Sequence, residues 1–239
     1  MWLRVLAFVA LLLLPAPSWA ALAVDAAASC AGTGVSSLTC AHTVSGADRE
    51  LVNWISWYHS DSVTLSGSAY NGVALTAIPS GSAANGQYHI DGLHLIAPAT
   101  GTNNLVATFS GSVFDVGMGS VSFTGADQTN PLGTAVTATG TSTTPSVTVS
   151  SAAGEIVIDG LVIVHGGTLT VGGSQTQQWN SIASGGYIKY AGSTQNGAAS
   201  TTNTWTNSTS QVWAQGAVPV KPVAVASSAP MRALLGVGK

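Results

Sequence analysis

Two kinds of side chain in this 239-residue chain have the types and spacing to do chemistry: isolated carboxylates in turns and strands, and aromatic rings set among amides. Asp127 lies in "SVSFTGADQTNPLGTA", Ser120 to Ala135, where an acid, amides, a proline and glycines follow an alternating apolar run. A carboxylate there accepts backbone N–H bonds in an Asx turn, Gly125 permits unusual φ, and Pro131 stops strand pairing. The stretch therefore reads as a corner. The competing reading is a structural calcium ion held by Asp127, main-chain carbonyls and a second acid, with Asp159 the other candidate ligand. Asp159 interrupts "EIVIDGLVIV", which is otherwise apolar on both faces apart from Gly160. An unpaired charge buried in such a strand is costly, so Asp159 is either a hydrogen-bond acceptor or an ion ligand.

Trp179 in "QTQQWNS" and Trp205 in "TTNTWTNSTS" are each embedded among amides and hydroxyls. That mix lines sugar-binding surfaces, where a ring gives a flat apolar platform and amides reach hydroxyls. Together with Tyr187 and Gln177 they form the candidate glycan contact. The plainer alternative is that both indoles pack half-buried at strand ends. In "LVNWISWYHS", alternation puts Trp54 and Tyr58 on one face and Ile55 and Trp57 on the other, so at least one set fills a core.

Catalytic patterns are thin. His59 with Asp61, and His89 with Asp91, have strand spacing that puts each pair on one face, but neither matches a metal-ligand pattern. No G-x-S-x-G occurs. Glu50, Glu155 and seven aspartates are the whole carboxylate supply, and Glu50 follows Arg49, where a local ion pair or turn accounts for it. A hydrolase is accordingly the third reading, behind a non-catalytic surface module and a carbohydrate-binding module.

Composition narrows the compartment and the partners. "MWLRVLAFVALLLLPAPSWAALA" has Arg4 before a short apolar run, then Pro15, Pro17 and small residues at Ser18 and Ala20. That is the pattern of a secretory signal peptide over residues 1–20, too short to span a bilayer. Without it the balance is 5 Lys plus Arg against 9 Asp plus Glu, a formal charge of −4. Only 6% of the chain is charged, and no basic patch exists to engage phosphates, so nucleic acid is an unsuitable partner. Polysaccharide or a surface protein fits better. Cys30 and Cys40, in an exported chain, read as a local disulfide within an N-terminal segment, residues 21–40.

From about residue 41 to 220, runs of Val, Thr, Ile, Leu and aromatics alternate with Gly, Ser, Asn and Pro at intervals near ten residues. This is the signature of an all-β protein. Asn71-Gly72 marks a hairpin, and "EIVIDGLVIV" reads as a central strand covered on both sides. The expected architecture is a single antiparallel β-sandwich, jelly-roll-like by strand number, with an immunoglobulin-like sandwich as the alternative. Residues 221–239, with Pro222 and Pro230, read as a flexible tail.

The strings "YNGVALT", "LIAPATGTNNLVATFSG", "VSFTGADQTNPLGTAVTATG" and "PSVTVSSAAGEIVIDGL" resemble a β-sandwich module recurrent in secreted bacterial and phage-associated surface proteins. The resemblance runs from Cys40 to Pro222 and rests on turn-and-strand motifs. It implies a fold and an extracellular setting, and it carries no catalytic or ligand residue. One departure is "IDGLHLIAP", where Gly92 and His94 stand in a strand that usually holds an aromatic.

Overall fold

The computed structural model describes residues 21–59 and 62–224. The expected signal peptide, Asp61 and most of the tail lie outside the described residues. Within them the chain is all-β. The first half forms β1 (Ala23–Gly32), β2 (Val35–Val44), β3 (Glu50–Tyr58), β4 (Leu65–Tyr70), β5 (Val73–Ala74), β6 (Thr76–Asn85), β7 (Tyr88–Ile96), β8 (Gly101–Val113) and β9 (Asp115–Thr124). The second half forms β10 (Val136–Ser142), β11 (Ser146–Val149), β12 (Ile156–Val164), β13 (Leu169–Val171), β14 (Thr176–Ile182), β15 (Ile188–Asn196), β16 (Thr201–Asn207) and β17 (Gln211–Val220).

All named pairings are antiparallel, and they build four sheets. One central sheet has the order β1-β9-β3-β7-β6, and the other β10-β17-β12-β15-β14. Each carries an outer sheet on its far side: β2-β8-β4-β5 over the first and β11-β16-β13 over the second. The expected sandwich is present and extended, with face-to-face packing repeated three times across four layers. The core is divided accordingly. Leu51, Ile55, Trp57 and Met118 meet Leu105, Ala107 and Phe109 in one gap, Trp54 and Phe123 meet Ile158 and Val218 in the middle gap, and Leu161 and Ile163 meet Trp205 in the third.

Two-sided burial is what the strand sequences encode. β12 is apolar on both faces and is buried along nearly all its length, as are β3, β9, β15 and β17. Strands of the outer sheets alternate instead: β2 reads exposed Thr39, Ala41 and Thr43 against buried Cys40, His42 and Val44. The alternation expected in β3 holds, with Trp54 and Tyr58 facing the middle gap and Ile55 and Trp57 facing the first outer sheet. Asn71 and Gly72 take φ of 49° and 77°, as the hairpin requires.

The middle gap is filled by rings seated on glycines. A Cβ at Gly160 or Gly216 would overlap the Trp54 indole, one at Gly119 or Gly192 the Trp179 indole, and one at Gly117 the Tyr190 ring. These glycines lie on β9, β12, β15 and β17, so the missing side chains of both central sheets are what leaves room for the aromatics. The Trp54 indole N–H is buried with no acceptor, so this ring contributes shape and apolar area.

The N-terminal boundary differs from expectation. Residues 21–40 do not form a separate segment before a sandwich at 41–220. β1 pairs with β9 along its whole length, and β2 pairs with β8. The Cys30–Cys40 disulfide joins β1 to β2, with Cα atoms 5.9 Å apart, and so staples a central sheet to its outer sheet. Small residues such as "AVDAAAS" carry little β propensity, and pairing with the buried β9 overrides it. At the other end, the start of the expected tail is tied down: Lys221 N–H donates to Pro131 O, Val223 N–H to Gly125 O, and Pro222 bridges Ala126.

Between β2 and β9, His42 is 1% exposed and its Nδ1 lies 2.8 Å from Ser120 Oγ. Burial lowers its pKa to about 4, against a weaker opposing pull from Asp25. The unfolded chain therefore binds a proton between pH 6.5 and 4 that the folded chain refuses, and stability is lost as pH falls through that window. His42→Gln should reduce the stability difference between pH 7 and pH 4.5 by ~2–3 kcal/mol, measured by urea unfolding at both pH values. Gly160→Ala, which drives a methyl into Trp54, should cost ~1–3 kcal/mol or more by the same measurement.

Candidate functional site

Five rings gather at one end of the middle gap. Tyr58 and Tyr88 are opposite one another across β3 and β7 and stack at 5.0 Å. Tyr58 also meets Phe114 at 5.6 Å and Tyr187 at 5.3 Å, and His59 stacks on Phe114 at 4.4 Å. Phe114 is 49% and Tyr187 55% exposed, and they rank among the few large apolar side chains that face solvent. Contiguous exposed aromatics of this kind mark a contact surface.

The cluster is positioned by a buried acid. Asp115, wholly buried at the start of β9, accepts Gly185 N–H at 2.8 Å through Oδ1, and Tyr187 N–H at 2.9 Å and Ile188 N–H at 3.3 Å through Oδ2. Those bonds clamp the β14–β15 turn, where Gly186 has φ of 76°, and so fix the ring of Tyr187 against Tyr58. Thr33 Oγ1 donates to Phe114 O at 2.7 Å and secures the neighbouring turn.

Of the expected glycan residues, only Tyr187 belongs to this surface. Trp179 is 5% exposed and Trp205 is wholly buried, which corrects the platform drawn from their polar neighbours. A register shift between Gln177 and Trp179 turns the Trp179 ring inward onto Gly119 and Gly192. Along β16, the hydroxyls of Thr202, Thr204 and Thr206 face away from the core while Asn203, Trp205 and Asn207 are buried, so the polar residues beside the indole are its outward neighbours. Gln177 is exposed on β14, where its Oε1 accepts a bond from Asn180.

The two acids proposed as calcium ligands are separated and engaged. Asp159 is completely buried between β12 and the second outer sheet. Its Oδ1 accepts Ser193 N–H at 2.8 Å and the Ser193 hydroxyl, and its Oδ2 accepts Trp205 Nε1–H and Gln215 Nε2–H, each at 2.8 Å. Burial pushes its carboxyl up, opposed by these donors. Asp127 lies in an exposed loop, where Oδ1 accepts Thr129 N–H at 2.7 Å and Asn130 N–H at 3.0 Å, which hold its carboxyl below the usual range. That is the Asx corner the sequence indicated, with Gly125 at φ of 71°. Among the described residues no three His, Cys, Asp or Glu side chains converge as metal ligands.

Polar pairs occur elsewhere. Asp91 accepts Trp57 Nε1–H at 2.8 Å and His89 stacks on the same indole at 3.8 Å, so this pair serves a packed ring. The His42–Ser120 contact is buried between sheets. Sequence reasoning missed one pair. Glu50, wholly buried, does not pair with Arg49, whose guanidinium donates to Pro98 O and Gly46 O. Glu50 Oε1 instead meets His94 Nδ1 at 2.7 Å, at the end of β3 away from the rings. Strand parity was the available signal: Glu50 and Tyr58 share a face, as do His94 and Tyr88.

Comparison with protein-family models, with curated proteins and with solved structures finds no match to this chain. Functional assignment therefore rests on the geometry. Asp115→Asn should leave the fold intact while removing an acceptor from the clamp. Amide hydrogen exchange at Gly185, Tyr187 and Ile188 should accelerate about tenfold or more relative to the strand interiors, measured by NMR.

Proposed function

We propose that this protein is a secreted, non-catalytic surface module whose working contact is the aromatic cluster, with polysaccharide as its partner. The observation that carries the reading is the exposure of Phe114 and Tyr187 over stacked Tyr58 and Tyr88. Rings held rigidly by a buried carboxylate offer flat apolar faces with little ordering cost, and sugars present matching C–H faces. A low-charge surface of hydroxyls and amides suits the same partner, because it competes little for counterions and solvates without ionising. The disulfide supports an oxidising compartment, in line with the leader-like first twenty residues. The non-catalytic reading is supported by the use of acids: Asp115 and Asp159 hold protein donors. Kinship with the module of bacterial and phage-associated surface proteins is part of the same proposal.

Retention of the purified protein on a panel of soluble and insoluble polysaccharides, with and without calcium, tests it. Retention on at least one glycan is expected, with loss of about tenfold or more in affinity on Tyr187→Ala or Phe114→Ala and no change on Gln177→Ala. Both ring variants should keep the native unfolding midpoint within a few degrees, since the rings are half exposed. No retention on any glycan would remove the polysaccharide reading.

A further inference from the structure

Toward the far end of the same gap, about 20 Å along β3 from the aromatic cluster, a recess of about 340 Å³ opens beside His94. Its walls include apolar Ile78, Pro79 and Leu132 and the polar residues Ser80, Thr134 and Lys221. We infer that this recess is a second binding site, for the carboxylate of a sugar-sized ligand such as a uronic acid.

Four observations carry it. First, cations are scarce here: among the described residues they are Arg49, Lys189 and Lys221. Arg49 donates to Pro98 O and Gly46 O, and Lys189 to Gly167 O, whereas Lys221 lines the recess. Second, Glu50 Oε1 holds His94 Nδ1, so Nε2 is the nitrogen left to meet a ligand. Third, Ser80 adopts φ of 60° within the register shift between Ala77 and Ser82 of β6. A serine kept in a conformation that glycine tolerates better sets a hydroxyl at the recess wall. Fourth, the volume and the mix of three apolar and four polar walls match one sugar ring rather than a polymer groove. The Lys221 ammonium donates a charge-assisted bond to a carboxylate, while the His94 Nε2 edge and the Ser80 and Thr134 hydroxyls meet ring hydroxyls. Asp127 interacts electrostatically with Lys221 and offsets part of its charge, which disfavours a doubly charged anion such as phosphate more than a single carboxylate.

The proposal is independent of the aromatic-cluster reading, and its test separates the two. The purified protein is titrated with glucuronate, glucose and acetate at constant ionic strength by NMR and calorimetry. Saturable glucuronate binding is expected, at least about tenfold tighter than glucose or acetate, with shifts at His94, Thr134 and Lys221. Lys221→Gln should weaken it about tenfold or more, and Gln177→Ala, outside the recess lining and the aromatic cluster, should leave it unchanged. His94→Gln should also weaken binding; if it unfolds the protein, Lys221→Gln decides. Equal affinity for glucuronate and glucose, or an unaltered affinity in Lys221→Gln, would overturn the site.

Discussion

The architecture depends on close contact between two sheets that are each buried on both faces. Trp54, Trp179 and Tyr190 stand in the gap between them, and they fit because Gly117, Gly119, Gly160, Gly192 and Gly216 have no Cβ to oppose the rings. Interiors are packed to crystal-like density, so such a gap tolerates neither a methyl on a glycine nor the loss of a ring. The same device recurs in both halves of the chain through the string Ile-Asp-Gly-Leu, at Ile90–Leu93 and Ile158–Leu161. In each copy the glycine packs on Trp54 and the aspartate turns outward to accept an indole N–H, from Trp57 for Asp91 and Trp205 for Asp159.

Once the middle gap is filled, its two ends are where chemistry can face solvent. Strand parity places Tyr58 and Tyr88 at one end and Glu50 and His94 at the other, on the same faces of the same strands. One end is finished with rings clamped by Asp115, the other with a buried carboxylate–imidazole pair beside a recess. The rarity of charge gives each of these groups weight, since every buried acid must be answered by donors from the fold itself.

Much of the fold was legible in the sequence and much of the site was not, for separable reasons. Period-2 alternation, Asn71-Gly72 and the continuous apolar run of β12 are local patterns, and they placed most strands of residues 41–220. β1 was hidden because its alanine-rich sequence has no propensity of its own and is organised by β9. Trp205 was misjudged because its threonine neighbours point the other way along the strand, and Trp179 because a bulge reversed its facing. The aromatic cluster draws on four turns spread from Tyr58 to Tyr187, and no short window of sequence brings those together.

Rings lying directly over glycines hold the middle gap together, and NMR of glycine Hα protons reads that contact most directly. Ring currents should move the Hα resonances of Gly117, Gly119, Gly160, Gly192 and Gly216 well upfield, while exposed turn glycines such as Gly72 and Gly86 stay at ordinary positions. Ordinary shifts at all five seam glycines in the folded protein would contradict the stacked architecture and, with it, the placement of both ends.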